Sequence, residues 1–148
     1  MSTDIQNKQI DALNDITKVL IDSKQGYEKA YELVDDNFSL KPQFLHRAQE
    51  RDHLINRFQS QVRTLGGEPQ SDGGVLGDAH RGWMQFTSLF QKDQKAALEA
   101  IDDGEDFLAD QVEKHLKRDD IHGEVRTLLT KAHQSARNGE CFADALVD

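Results

Sequence analysis

GGEPQSDGGVLGD, Gly66 to Asp78, carries five of the chain's ten glycines and one of its two prolines. Glycine and proline at that density interrupt a helix, so the stretch reads as a loop. The chain on either side of it is written at helical spacing. Just upstream, Phe44, Ala48, Ile55, Phe58, Val62 and Leu65 share one face of a helix. Ser39 is a candidate N-cap for it, Pro42 is tolerated only in its first turn, and Gly66-Gly67 stop it. Further upstream, Asp4 to Asp35 contains no proline and a single glycine, Gly26. Ile10, Leu13, Ile16, Leu20, Tyr27, Tyr31 and Val34 recur there at intervals of three, four and seven, the stripe of an amphipathic helix. Asp35, Asp36 and Asn37 mark the turn that makes these two helices a hairpin.

Downstream of the glycine loop, Ala79 to Phe90 reads as a short helix with Trp83, Phe86 and Phe90 on one side. Asp93 caps a third long helix, which runs to about Lys117 through Ala97, Ile101, Leu108 and Val112. Asp119-Asp120 is a second tight turn. The last helix points Ile121, Val125, Leu129, Ala132, Ala136, Ala143 and Val147 inward. The pattern is hairpin, long connection, hairpin, and predicts one all-α domain over residues 1–148. A loop with a short helix is long enough to cross the length of a bundle. This permits the ferritin-like four-helix arrangement with a single crossover. There is no sequence repeat to choose between that and a connection that folds back.

Eighteen basic residues against 27 acidic ones give a net charge of −9. That balance argues against nucleic acid as a partner, because phosphate is held by clustered Lys and Arg. It argues equally against a basic patch on anionic lipid. No apolar run is long enough for a membrane span, and MSTDIQNKQ lacks the apolar stretch of a signal peptide. One cysteine, Cys141, cannot form an internal disulfide, which fits a reducing cytoplasm.

A ferritin-like bundle directs attention to inward carboxylates and Glu-x-x-His pairs, the ligands of di-iron and di-manganese sites. Glu50 and His53 have that spacing, but His53 falls nearly opposite the stripe of its helix, whereas Arg51 faces inward. Reflecting the third helix onto the fourth about Asp119 sets Glu105 level with His133, both on stripe flanks. Gly104 beside Glu105 would let a neighbouring helix come close. Reflecting the first helix onto the second about Phe38 sets Glu28 near Ala48 and Arg51. The first and third helices would then supply one Glu each. The fourth offers Thr130-Lys-Ala-His133 in place of Glu-x-x-His, so the ligand set is incomplete. The competing reading is a buried ion pair of Glu28 with Arg51, bonded to Tyr27 or Tyr31, with no metal. An inward Arg places positive charge where a divalent cation would sit, and pairing answers the cost of burying either charge.

His80-Arg-Gly-Trp83 reads as an anchor of the connection onto the core through Trp83, with an anion or partner contact at His80 and Arg81 as the functional alternative. His115 reads as a packing residue, and His46 and His122 as surface groups near turns. Asp102, Asp103 and Asp106 read as a solvated face, and Cys141 as a surface thiol without a neighbouring base. Glu140 lies, like Glu50, on a stripe flank. No Ser-His-Asp arrangement, phosphate loop or nucleophile elbow supports a hydrolase.

Four of these stretches, Gly26-Tyr-Glu-Lys-Ala30, Leu65-Gly-Gly-Glu-Pro69, Gly77 with His80-Arg-Gly-Trp-Met84, and Gly104-Glu-Asp106, occur in a telling order and spacing. In them the chain resembles a small bacterial family placed in the ferritin-like superfamily as a domain of unknown function. The resemblance implies a ferritin-like four-helix bundle. Relatives in the wider superfamily bind two irons, store iron or reduce peroxides, so it also implies iron or manganese as possible cofactors and a role in stress responses. Glu28 and Glu105 are the matched positions that carry over as ligands. Two functional readings stand. One is a partial or vestigial di-metal protein using Glu28, Glu105, His133, Glu50 and His53. The other is a metal-free interaction module with an ion-pair network around Arg51. In either, the expected partner is a second copy of the chain.

Overall fold

The apolar stripes close on one another as four helices, α1 (Thr3–Leu33), α2 (Lys41–Thr64), α3 (Gln94–Leu116) and α4 (Gly123–Val147). The structure is a computed structural model and describes residues 3–34, 41–73 and 93–147. No strand occurs among the described residues. The turn at Asp35-Asp36-Asn37, the cap at Ser39, the short helix at Ala79–Phe90, the His80–Trp83 cluster and the Val147 side chain lie outside them.

The helix ends follow the local chemistry of the sequence. Asp93 is extended and accepts the Ala96 N–H at 3.1 Å, capping α3. At the end of α2, Gly66 takes φ +84, its N–H bonds to Arg63 O, and the Gly67 N–H bonds to Val62 O, both at 2.9 Å. This is a Schellman motif, which satisfies carbonyls the helix would leave unpaired. One boundary differs from the sequence reading. Ile121 lies before α4, which starts at Gly123 with φ +59, yet it is buried as expected because the turn folds it under the bundle end.

α1 runs along α2 and α3 along α4, and the two hairpins meet chiefly through α1 against α3 and α2 against α4. The apolar interior is divided into two clusters. One joins Leu13, Ile16 and Leu20 of α1 to Phe58 and Val62 of α2, Leu108 and Val112 of α3, and Leu129 and Ala132 of α4. The other joins Tyr27, Ala30 and Val34 to Phe44 and Ala48, Leu98 and Ile101, and Ala143. The second cluster therefore gathers the C-terminal ends of α1 and α4 with the N-terminal ends of α2 and α3. Each helix is antiparallel to its bundle neighbours. Between the clusters lies a polar layer, with Ser23, Arg51, Glu105 and Ser135 all buried.

The start of the α2–α3 connection is fixed to the α1 side of the first hairpin. A Cβ on Gly67 would meet Ile10 Cγ2 at 2.8 Å. Asn14 donates to Glu68 O at 3.0 Å and accepts the Gln70 N–H at 2.8 Å, and Gln59 donates to Gln70 O at 2.9 Å. Gly73 packs so closely on the Asp22 carboxylate that a side chain there would collide with it. Residues 67–73 thus climb α1 from Ile10 to Asp22, about 18 Å of helix. Among the described residues, no helix is long and apolar enough to cross a membrane.

Candidate functional site

The polar layer is built around one side chain. Arg51 faces the bundle interior because it occupies a stripe position of α2, between Ala48 and Leu54, and it is fully buried. All five of its N–H donors have acceptors. Nη1 donates to Glu105 Oε1 at 2.8 Å and to Ser23 Oγ at 2.9 Å. Nη2 donates to Glu105 Oε2 at 2.5 Å and to Ser135 O at 3.2 Å, and Nε donates to Ser135 Oγ at 3.0 Å. The pair with Glu105 is the bidentate fork that a planar guanidinium forms with a carboxylate. Tyr27 adds its hydroxyl to Glu105 Oε2 at 3.0 Å and its ring centroid lies 5.7 Å from Arg51 Cζ. Ser135 Oγ donates its own hydrogen bond to Glu50 Oε1 at 2.5 Å, which leads the network to the surface, where the Glu50 side chain is 41% exposed.

Gly139 makes room for this arrangement. A Cβ there would overlap the Glu105 carboxylate, so α4 presents a notch into which Glu105 fits. The electrostatics are consistent with a permanent pair. Burial works against the Arg51 charge, but the Glu105 carboxylate overcomes it and the net pKa moves up. Burial, followed by the neighbouring Glu105 charge, pushes the Tyr27 hydroxyl well above its ordinary range, keeping it a donor. A lone buried cation would cost several kcal/mol, and the fork with the three further acceptors offsets this.

The candidate ligands do not converge. Glu105 is in the layer, bonded to Arg51 and Tyr27. Glu28 is exposed and lines a surface cleft with Lys24, Asp52 and Asn56, so Arg51 pairs with Glu105 and not with the expected Glu28. Reflection about Phe38 gives the right height for Glu28, as Lys24 bonding to Asp52 attests, but the side chain is on the wrong face. His53 is exposed, and Glu50 reaches only the rim of the layer through Ser135. His133 sits on the outer α3–α4 seam, where its Nε2 lies 2.9 Å from Glu113 Oε1 and not near Glu105. Arg137 joins that seam, donating to Glu113, Asp106 and Glu140. Among the described residues, no group of three or more His, Cys, Asp or Glu could hold a metal ion. Gly104 is exposed and a Cβ there would meet open space, so close approach is the work of Gly139 instead. Gly139, Ser23 and Ser135 are the site residues the sequence reading missed. Their signal was a small residue continuing an apolar stripe, as Gly139 does between Ala136 and Ala143.

Elsewhere the outcome is mixed. Cys141, His46 and His122 are exposed as expected. His115 is partly buried, 3.6 Å from Asp15, and burial lowers its pKa. Asp103 and Asp106 are solvated, but Asp102 is half-buried against Asp144. Burial, the hydrogen bond to Asp144 and the nearby Glu140 and Asp103 charges push its carboxyl up to about 6. The folded chain therefore holds a proton that the unfolded chain has released, and stability falls as pH rises from about 4 to about 6. Asp102→Asn is expected to raise the melting temperature at pH 7 and leave it nearly unchanged at pH 4. Thermal denaturation at the two pH values checks this, and an equal effect at both would refute it.

No curated protein and no solved structure matches the chain. Residues 8–118 do match one family, and that span includes Tyr27, Arg51 and Glu105, the donor, cation and carboxylate at the centre of the layer. With three-quarters of its length in that match, the chain belongs to the family described as "Domain of unknown function (DUF2383)".

Proposed function

We propose that the chain is a ferritin-like bundle with a metal-free ionic interior, and that it acts as a helical interaction module and not as an iron or manganese enzyme. Support for the ferritin-like connectivity comes from the helix ends. α2 finishes in the cluster of Phe58 and Val62, whereas α3 starts in the cluster of Leu98 and Ile101 at the other end. A connection that traverses the bundle would join those ends, and residues 67–73 climb α1 in that direction.

One observation carries the functional reading. The polar layer in the bundle interior holds the Arg51 guanidinium, whose five donors are taken up by Glu105, Ser23 and Ser135. A divalent ion needs several hard anionic oxygens around it. Here the Glu105 carboxylate of the polar layer already serves a cation, while Glu28, His53 and His133 are directed elsewhere. The residues present do not fit the metal pair. The exposed thiol of Cys141 fits a reducing, cytoplasmic setting.

Metal analysis tests the reading. Wild-type protein is loaded with Fe(II) anaerobically and aerobically, and separately with Mn(II), then desalted. Metal well below one ion per chain is expected, with no change in Glu28→Ala or Glu105→Gln. A stoichiometric ion that both substitutions remove would overturn the proposal.

A further inference from the structure

The acceptors around Arg51 are mostly positioned without help from its own helix. Ser23 Oγ is held on α1 by its bond to Leu20 O at 2.8 Å. Glu105 is oriented on α3 by the Tyr27 hydroxyl and seated in the Gly139 notch of α4. Ser135 O is α4 main chain, and only Ser135 Oγ leans on α2, through Glu50. These groups present one carboxylate fork, a hydroxyl to either side and an aromatic face, all buried. That constellation recognises a planar cation with two parallel N–H donors, not a point charge.

We propose that Ser23, Tyr27, Glu105 and Ser135 form a guanidinium receptor that Arg51 fills as a tethered ligand, and that the receptor binds a free monoalkylguanidinium once the tether is cut. An alkylammonium lacks the fork. A divalent ion would find the Glu105 carboxylate, Glu50 only at the rim behind Ser135, and otherwise neutral oxygens. The inference rests on the metal-free reading of the interior.

Arg51→Ala removes the two outer methylenes and the guanidinium, which are the heavy atoms of ethylguanidinium. Ethylguanidinium at low millimolar concentration is expected to raise the melting temperature of Arg51→Ala saturably, by roughly 3–6 °C at tenfold excess over its Kd. Wild type and Arg51→Met, whose interiors are filled, are expected not to respond, and neither is Arg51→Ala/Glu105→Gln. Where Arg51→Ala is unfolded by itself, recovery of the helical circular-dichroism signal replaces the melting shift as the readout. The absence of a saturable response overturns the receptor, as does an equal response to ethylammonium or in the Glu105→Gln double variant. If Mn(II) stabilises Arg51→Ala more than ethylguanidinium does, the receptor proposal fails. It fails alone when wild type still takes up no metal in the loading experiment, and together with the metal-free reading when wild type does.

Discussion

Glu105→Ala is expected to destabilise the fold by about 3–5 kcal/mol, because it strands the Arg51 cation inside the bundle. Against the ~5–15 kcal/mol that holds a typical domain together, this is about a fifth of the total or more. The reason is asymmetry. The intact pair has bidentate geometry and a full set of acceptors, so each charge is compensated. After truncation only Ser23 and Ser135 remain for the five donors. Arg51→Met/Glu105→Met removes both charges at similar volume and is expected to recover most of the loss. The remainder reflects the Tyr27 hydroxyl, which loses its acceptor at about 1–3 kcal/mol. Denaturant midpoints of the three proteins decide the matter. A Glu105→Ala penalty under about 1 kcal/mol would mean that the pair is hydrated, as surface pairs are.

Gly139→Ala is expected to destabilise by about 2–3 kcal/mol, although alanine in a helix interior ordinarily stabilises by about 1 kcal/mol over glycine. The added methyl would occupy the space of the Glu105 carboxylate. A free carboxylate would swing aside at little cost, but this one is held by Arg51 and Tyr27, so moving it breaks the fork. Gly104→Ala is the contrast. Its Cβ meets nothing within 4 Å on the exposed side of α3, and it is expected to stabilise by about 0.5–1 kcal/mol. Melting curves of the two single variants should move in opposite directions. Stabilisation by Gly139→Ala, like that expected of Gly104→Ala, would show that the notch does not hold Glu105.

The helices were legible because their stripes are long and uninterrupted. Tyr27, Ile55, Phe58, Leu108 and Leu129 are buried where the spacing placed them. Arg51 was legible for the same reason, as a charged residue in an apolar register. Its partner was not. Matching α3 to α4 about Asp119 takes the centre of residues 117–122, which lie outside both helices, as the packing midpoint, whereas the side-chain contacts place it further along the chain. The true midpoint is close to residue 123, as the Glu113–His133 contact shows. His133 thereby meets a residue eight positions along α3 from Glu105, about 12 Å away along the axis. The Lys24–Asp52 contact agrees with reflection about Phe38, so the height of Glu28 was correct. Its face was not, because a stripe flank can turn toward solvent as readily as toward a neighbour. Glu105 was identified as an interior carboxylate, but periodicity cannot tell a metal ligand from the counter-ion of an arginine. That distinction needs the position of the guanidinium.

The distribution of the Arg51 partners also makes the first hairpin dependent on the second. The first hairpin supplies only Ser23 to the five donors, and the other four bonds wait for α3 and α4. Until those helices arrive, the guanidinium is more stable in water than between α1 and α2. The nascent hairpin is thereby discouraged from closing completely around the wrong neighbour. Complete burial of this charge is thus a property of the whole bundle, available only when Glu105 and Ser135 are in place.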